Sequence, residues 1–279
     1  MRTLVLQSDF GLSDGAVSAM YGVAHSVNPQ ICIFDLTHDI PPFNIWEASY
    51  RLLQTHSYWP KGTVFVSVVD PGVGSERKSI VARTSSDHYI VTPDNGTVSH
   101  ILEDIVEVRL LDEEKNRLPN SGDSYTFHGR DIYAYTGARL ASECIAFDSI
   151  GPRVPIESIV SLSLNKAYQK EGSIYGIIDI HDVRFGNLWT DISRSLVQKC
   201  HIQYGDLLEI TISEKNVEVF QEKVLFGKSF ADSNVGEPIC YINSLNNMGI
   251  AINQYSIAKK YKIGTGVDWK VRLKKMVLF

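Results

Sequence analysis

The chain has 279 residues, of which 44% are hydrophobic and 21% are charged, and its formal net charge is −5. This composition is typical of a folded globular protein and excludes a chain that is mostly disordered. Acidic residues dominate the first part: residues 1–160 carry 12 Lys/Arg against 20 Asp/Glu, whereas residues 161–279 carry 15 against 12. We therefore expect no nucleic-acid partner.

The apolar runs and the cysteines point to a cytoplasmic protein. The longest runs, such as Thr63–Val69, are much shorter than the ~18 residues that span a bilayer, and the N-terminus has no signal-peptide pattern. We expect no membrane partner. The four cysteines are widely separated and form no CxxC pair, which argues against a zinc cage or a disulfide framework: Cys32, Cys144, Cys200 and Cys240.

In chain order, the first half alternates short apolar runs with segments of helical periodicity, which is typical of βαβ units on a largely parallel sheet. Asp14 is predicted to cap the first helix, because Ala16, Met20 and Val23 follow it near helical spacing. Strands are predicted at Thr3–Leu6, Ile31–Leu36, Thr63–Val69, Ser79–Arg83 and Tyr89–Thr92, and helices near Asp14–Ser26, Ile45–Tyr58 and Arg130–Ala141.

The second half changes to short β-rich runs with closely spaced turn residues, which is typical of a small antiparallel barrel or sandwich. We expect an α/β N-terminal domain at residues 1–158, a linker at about 159–167, and a smaller all-β, barrel-like domain at residues 168–279. The predicted strands are Gly172–Ile180, Leu188–Thr190, Leu207–Ile212, Val217–Phe220, Ile239–Ile242, Ile250–Ile252 and Trp269–Leu273.

Acidic residues follow three predicted strands of the first half. The segments that contain them are Ser8–Gly11, Asp35–Asp39 and Asp70–Gly74. Ligands of parallel sheets bind beyond the carboxyl ends of the strands, so Asp9 and Asp70 are candidate site residues. A strand-end Asp also often caps a turn, and that alternative stays open.

The glycines that follow Asp70 indicate a tight turn rather than a phosphate loop. Gly72 and Gly74 lack the GK[ST] sequence of a phosphate-binding loop. A turn at this point allows Arg77 to fold back towards Asp70, and a guanidinium beside that carboxylate would keep it ionised.

Two further segments carry candidate binding residues. His128 precedes a predicted helix, where it could face a pocket above the sheet or satisfy a turn. The segment Asp182–Thr190 combines Asp182, Phe185 and Asn187 with Trp189. It is compatible with a barrel corner whose aromatic residues lie in the core, or with a purine pocket in which an aromatic ring stacks on the base.

Several of these residues belong to types that also bind metals: Asp9, Asp14, His38, Asp39, Asp70 and His128. No HExxH or similar local pair accompanies them. A metallohydrolase therefore remains an alternative, and the expectation is a site without a metal or another cofactor.

Taken in order, the motifs resemble those of the S-adenosylmethionine hydroxide adenosyltransferase family, which also contains fluorinating and chlorinating enzymes. The resemblance covers nearly the full length. It is carried by Ser8-Asp9-Phe10-Gly11 with Asp14, the stretch Asp35–Asp39, Asp70-Pro71-Gly72-Val73-Gly74 with Arg77, Pro93-Asp94-Asn95-Gly96, Phe127-His128-Gly129-Arg130-Asp131, Phe185-Gly186-Asn187-Leu188-Trp189-Thr190, and Tyr241-Ile242-Asn243-Ser244.

The resemblance implies a homotrimer whose sites lie between the N-terminal domain of one subunit and the C-terminal domain of a neighbour. It assigns Asp70, Arg77 and His128 to the attacking water and Asp9 to the ribose hydroxyls. The remaining implied roles are methionine binding by Asp14, Asp182 and Ser244, adenine binding by Asn187 with Asn253 nearby, and apolar walls from Phe43, Phe185 and Phe230.

Three positions depart from the halogenating members of that family. Asp70 replaces their Tyr, Gly129 replaces a Ser that helps to hold halide, and Leu245 replaces an Arg. The first two favour water over halide as the nucleophile. The sequence therefore predicts hydrolysis of S-adenosylmethionine to adenosine and methionine, with a halide-using transferase or a non-catalytic adenosine sensor as alternatives.

Overall fold

The computed structural model describes residues 2–122 and 125–276, and the chain divides into two compact units, residues 1–162 and 163–279. We call them the N-terminal unit and the C-terminal unit. Within the described ranges, no helix is long and apolar enough to cross a membrane.

The N-terminal unit is built around a seven-strand sheet. Its elements are β1 Leu4–Ser8, α1 Ala16–Val27, β2 Ile33–Thr37, α2 Ile45–Thr55, β3 Val64–Val68, β4 Ser79–Thr84, β5 Tyr89–Pro93, β6 Ile105–Leu110, α3 Tyr135–Ala141 and β7 Arg153–Val154. The strand order is β2-β1-β3-β5-β4-β6-β7. Strands β2, β1, β3 and β5 run parallel to one another, whereas β4, β6 and β7 add an antiparallel edge.

Strands β1, β3 and β5 are buried on both faces, which explains their apolar character, whereas the edge strand β2 is partly exposed. Leu4 and Leu6 pack with Met20 of α1, whereas Val5 points to the opposite face and packs with Leu52 of α2. Successive side chains of a strand alternate between faces, so a strand covered by helices on both faces is mostly apolar at every position. The predicted strands and helices of this half are confirmed within a few residues, while β6 and β7 were not predicted.

The helix predicted around Arg130–Ala141 begins with a π-helical turn. Residues Gly129–Ala134 form this turn and continue directly into α3, with His128 immediately before it. Such turns are uncommon and occur frequently at functional sites, where they change the direction of side chains.

The C-terminal unit is a closed β-barrel, which decides between the two architectures that the sequence allows. Its elements are β8 Tyr168–Lys170, β9 Ser173–Asp182, β10 Asn187–Ser193, α4 Arg194–Lys199, β11 Leu207–Glu214, β12 Val217–Phe226, β13 Pro238–Ile242, β14 Asn247–Ile252, α5 Ile257–Tyr261 and β15 Trp269–Lys275. Seven strands follow the order β10-β14-β13-β12-β11-β15-β9, and β9 pairs with β10 to close the ring. Ile178, Leu188 and Ile210 lie in its core.

Candidate active site

A cavity of about 290 Å³ lies in the N-terminal unit beyond the carboxyl ends of β1 and β3. These two strands are parallel neighbours, so the residues that follow them meet at the same edge of the sheet. Asp9, Asp70 and His128 are the titratable residues among those that line it. The complete lining is Asp9, Phe10, Pro42, Phe43, Val68, Asp70, Val73, Thr126, Phe127, His128 and Gly129.

Asp70 and Arg77 form a bidentate ion pair at this cavity. Nε of Arg77 donates to Oδ1 of Asp70 at 2.9 Å, and Nη2 donates to Oδ2 at 2.6 Å. The two side chains are only 5% and 11% exposed, respectively. Gly74 has a φ of +76°, which lets the chain reverse direction. Arg77 therefore folds back towards Asp70, as predicted from the turn glycines. The Asp70 carboxylate therefore pairs with a cation rather than capping its own turn.

The Arg77 guanidinium stays protonated in this environment. Burial lowers the pKa of Arg77, but the hydrogen bond to Asp70 and the nearby negative charges act against it, and the net direction is upward. Its planar group carries several N–H donors, and one of the nitrogens that bond to Asp70, Nη2, also donates to His128.

His128 is buried and receives a hydrogen bond from the same guanidinium. Nη2 of Arg77 lies 3.1 Å from Nδ1 of His128, and Nη2 of Arg117 lies 3.4 Å from Nε2. A guanidinium only donates and a neutral imidazole has one acceptor nitrogen, so the shorter contact makes Nδ1 the acceptor and leaves the ring proton on Nε2. Burial lowers the pKa of His128; the carboxylate of Glu113 opposes this shift, and the charges of Arg77 and Arg117 reinforce it.

Three residues that the sequence did not single out, Ser79, Glu113 and Tyr133, hold the Arg77 side chain in place through a hydrogen-bond network. Nη1 of Arg77 donates to Oγ of Ser79 at 2.8 Å and to Oε1 of Glu113 at 3.2 Å. Ser79 in turn donates to Glu113 at 2.6 Å and lies 2.8 Å from the hydroxyl of Tyr133. Burial raises the pKa of Tyr133, so its hydroxyl remains a donor. These contacts leave the guanidinium a single orientation.

Asp9 is held by the backbone of a distant loop. Its Oδ2 accepts a hydrogen bond from the backbone N–H of Phe43 at 2.9 Å. Phe43 has a φ of +66°, a left-handed conformation that costs a bulky residue on the order of 1–3 kcal/mol, and its side chain is 69% exposed. Strain of this kind is typical of functional sites, and here it points the Phe43 N–H at a carboxylate of the cavity.

Asp14 lies outside the cavity lining, and the prediction that it is the N-cap of α1 is wrong. The N-cap of α1 is Gly15 rather than Asp14. The Asp14 carboxylate nevertheless accepts a hydrogen bond from the backbone N–H of Ala16 at 2.9 Å, so it still satisfies one free donor of the first turn. Its side chain is exposed.

In the C-terminal unit, Asp182 and Asn187 lie at the hairpin between β9 and β10. Nδ2 of Asn187 donates to Oδ2 of Asp182 at 3.2 Å. Trp189, two residues further, is buried, while Phe185 is exposed. Neither ring belongs to the barrel core that contains Leu188, because successive side chains of β10 alternate between its two faces. The corner therefore presents an aromatic ring beside an acid and an amide.

Tyr241, which the sequence did not single out as a site residue, joins several of these groups. Its hydroxyl accepts from Nε1 of Trp189 at 3.0 Å, and its ring lies 4.9 Å from that of Phe230. Burial raises the pKa of Tyr241 to about 12, and the nearby Asp182 adds to the shift. Asn253 donates to the backbone oxygen of Phe230 at 3.1 Å, so these two predicted binding residues lie in contact.

Ser244 lies in the turn between β13 and β14 and is exposed. The neighbouring Asn243 organises this turn, because its side-chain oxygen accepts from the backbone N–H groups of Leu245 and Asn247 at 2.9 and 3.0 Å. The Ser244 hydroxyl is thereby available at the surface of the turn.

For the metal alternative, the described residues contain no group of three His, Cys, Asp or Glu side chains arranged to hold an ion. His38, one of the candidates, instead bonds to Ser8 and Asp35 through its two ring nitrogens. The candidate ligands are thus engaged with protein partners or lie apart.

Comparison with known proteins supports a single family. Residues 4–151 match the SAM hydroxide adenosyltransferase N-terminal domain, and residues 176–270 match its C-terminal domain. A protein of Methanocaldococcus jannaschii named (R)-S-adenosyl-L-methionine hydrolase is 35% identical over 86% of this chain and 84% of its own length. A fluorinase of Actinopolyspora mzabensis is 25% identical over 96% of both chains.

Among solved structures, an uncharacterized conserved protein from Thermotoga maritima is similar over nearly the whole chain. Its TM-score is 0.88 at 29% sequence identity, with 98% of this chain and 100% of that chain covered. The two matched domains together span most of the sequence and both structural units. The chain belongs to the SAM hydroxide adenosyltransferase family.

Proposed function

We propose that this protein hydrolyses S-adenosylmethionine to adenosine and L-methionine. The observation that carries the proposal is the group formed by Asp70, Arg77 and His128 at the wall of a cavity that also contains Asp9. The relatives named S-adenosyl-L-methionine hydrolase support the same reaction.

Substrate binding is assigned to residues of both units. The Asp9 carboxylate accepts hydrogen bonds from the two ribose hydroxyls, because one carboxylate has lone pairs for both members of a diol. Phe43 forms an apolar wall beside it. The other proposed contacts are Asp14, Asp182 and Ser244 for methionine, Asn187 and Asn253 for adenine, and Phe185 and Phe230 as further walls.

The chemistry requires an oriented nucleophile more than an acid. The sulfonium of the substrate is already a good leaving group, so the enzyme gains most by holding water in line with the C5′–S bond. Asp70 accepts a hydrogen bond from this water and takes its proton as the O–C5′ bond forms. Neutral His128, whose Nδ1 accepts from Arg77, orients the water as a donor through its Nε2–H. The C5′–S electron pair goes to sulfur, which yields methionine, while Arg77 balances the carboxylate charge.

We also propose that this reaction needs no metal or other cofactor, since the leaving group requires no Lewis acid. The assembly proposed is a homotrimer in which the C-terminal unit of one copy completes the site of a neighbour. The four cysteines are free, which supports a reducing, cytoplasmic location.

A halide-using reaction is disfavoured by the packing around Gly129. A Cβ atom at this position would lie 2.8 Å from the ring of Phe10, so the Ser of halogenating relatives does not fit without displacement of that ring. The ring of Phe10 thus occupies the space that a side chain at position 129 would need.

The test is incubation of the purified protein with S-adenosylmethionine in H₂¹⁸O, followed by chromatography and mass spectrometry. We expect adenosine with one ¹⁸O atom and unlabelled methionine. Parallel reactions with chloride and fluoride test the halide alternative, and the matched control is the Asp70→Asn variant. A halogenated nucleoside, or binding without turnover, would replace the proposal with one of the alternatives.

A further inference from the structure

We propose that His38 is a positioning residue that fixes the Asp9 carboxylate for the ribose diol. The inference rests on the proposed function and concerns how rigidly the residue that binds the ribose diol, Asp9, is held. His38 is buried, follows β2, and lies outside the cavity lining. It therefore acts through other residues.

The imidazole of His38 bonds to the residue that precedes Asp9. Nδ1 of His38 lies 2.6 Å from Oγ of Ser8, and the backbone N–H of Phe10 donates to the same Oγ at 3.3 Å. Because Nε2 of His38 faces the carboxylate of Asp35 and donates to it, Nδ1 of the neutral ring is the acceptor and Oγ of Ser8 donates its proton to it. The bond therefore requires an imidazole that is unprotonated at Nδ1.

The backbone of His38 bonds to the other side of the same loop. Its carbonyl oxygen accepts from the backbone N–H of Gly11 at 2.8 Å. Gly11 has a φ of +67°, which glycine adopts without a steric penalty. His38 thus holds Ser8 and Gly11 on the two sides of Asp9, and the intervening segment keeps only a small range of conformations.

The second ring nitrogen anchors His38 to the rest of the unit. Nε2 lies 3.1 Å from Oδ1 of Asp35 and donates to it, because a carboxylate only accepts. Oδ2 of Asp35 accepts from the hydroxyl of Tyr21 in α1 at 2.6 Å. Burial raises the pKa of Tyr21 to about 12, and the bond to Asp35 adds to the shift, so this hydroxyl remains a donor.

The Ser8, His38 and Asp35 side chains are connected as in a nucleophilic triad, but burial excludes that role. Ser8 is 0% exposed and its Oγ already accepts from Phe10. The connection therefore serves to order the chain. Together with the Phe43 N–H on Oδ2, it restrains the Asp9 carboxylate before a ligand arrives, which lowers the entropic cost of binding.

The decisive measurement compares adenosine with 2′,3′-dideoxyadenosine by isothermal titration calorimetry. The wild type is expected to bind adenosine about 10- to 100-fold more tightly, the value of hydrogen bonds to a charged group. His38→Ala is expected to reduce this ratio to about 3-fold or less, because a mobile Asp9 carboxylate binds the ribose diol less favourably. His38→Asn, whose side-chain oxygen can replace Nδ1 as the acceptor for Ser8, is expected to retain most of the ratio.

The matched control is His100→Ala. Nδ1 of His100 lies 2.9 Å from Oγ of the buried Ser49, so this variant removes a comparable Ser–His bond away from the cavity. It is expected to leave the ligand ratio unchanged. A general loss of stability would affect both variants, whereas loss of the diol preference is specific to His38. An unchanged ratio in folded His38→Ala would overturn the inference.

A ligand-free measurement separates this inference from the proposed function. Amide hydrogen exchange at Gly11 and Phe43 is expected to accelerate at least about tenfold in His38→Ala and to stay unchanged in His100→Ala. If wild-type protein shows no diol preference, the proposed role of Asp9 fails. Unchanged exchange in His38→Ala overturns the positioning role independently.

Discussion

Nδ1 of His128 accepts a hydrogen bond from Nη2 of Arg77 at 3.1 Å, and the same nitrogen of Arg77 lies 2.6 Å from the carboxylate of Asp70. A single guanidinium therefore orients one charged and one neutral acceptor at the cavity. Protonation of His128 would place a donor and a positive charge against Arg77. The proposed water site thus depends on neutral His128.

The first prediction concerns pH. Because burial lowers the pKa of His128 below its ordinary value of 6.5, the neutral form dominates at pH 7 and persists into mildly acidic solution. We expect kcat to change little between about pH 7 and 8 and to fall tenfold per pH unit only below the lowered pKa. Rate measurements at saturating substrate check this, and a loss of activity centred above pH 7 would contradict it.

The second prediction concerns Asp70. The change Asp70→Asn keeps the size and one acceptor oxygen but removes the charge that attracts a proton. We expect kcat to fall by about 10²- to 10⁴-fold with a much smaller change in substrate affinity. Single-turnover rates and equilibrium binding separate the two effects. Weaker binding with a normal chemical step would make Asp70 a substrate contact instead.

The same experiment extends to His128. We expect His128→Ala to slow turnover similarly, and the double variant with Asp70→Asn to lose much less than the product of the two single losses. Such non-additivity follows if both residues orient one water molecule. Multiplicative losses would show that the two side chains act on separate steps.

The third prediction concerns metal ions. Since the sulfonium leaves without a Lewis acid, activity is expected to survive prolonged dialysis against a chelator within about twofold. The measurement is turnover before and after chelation, with total metal content determined in both samples. Loss of turnover that a divalent ion restores would favour the metallohydrolase alternative.

The fourth prediction concerns shared sites in the proposed homotrimer. Asp9→Ala and Asp182→Ala are each expected to be inactive alone. When the two variants are unfolded together and reassembled in equal amounts, about a quarter of the sites should contain both native residues. Activity should recover to that level. Verified mixed trimers without recovered activity would show that Asp9 and Asp182 do not serve one site across subunits.

The fifth prediction concerns a buried acid of the barrel. Burial raises the pKa of Asp191 from 3.8 to about 7, and the nearby Asp179 adds to the shift. Between about pH 4 and 7 the folded state therefore holds a proton that the unfolded state has lost, so stability falls as pH rises through this window. The effect disappears below pH 4, where both states are protonated.

The variant Asp191→Asn isolates this effect, because the amide cannot ionise and its oxygen can still accept from the backbone N–H of Ile177. We expect the variant to be more stable than the wild type at pH 8 by on the order of 1–2 kcal/mol after allowance for solvent screening, and nearly equal at pH 4. Thermal unfolding at both pH values measures the difference. A Tm difference that is the same at both pH values would contradict the prediction.

The elements and the strand-end residues could be predicted because their signals are local. Leu4–Ser8 and Val64–Val68 are mostly apolar, as strands buried on both faces are, so Asp9 and Asp70 could be placed at one edge of a sheet. The turn glycines before Arg77 likewise predicted its return to Asp70. These predictions depend on residues within about ten positions of one another in the sequence. Over that distance, hydrophobic periodicity and the backbone conformations open to glycine determine the local structure.

Only the tertiary structure decided which distant groups complete the site. Glu113 reaches Arg77 across 36 positions, the N–H of Phe43 reaches Asp9 across 34, and His38 reaches Ser8 across 30. No periodic or turn signal encodes such hydrogen bonds, because they depend on where whole strands and loops pack. Closure of the barrel by the pairing of β9 with β10 was also decided by the tertiary structure. Short strands of this spacing are compatible with either a barrel or a sandwich, and only the pairing of the edge strands distinguishes the two.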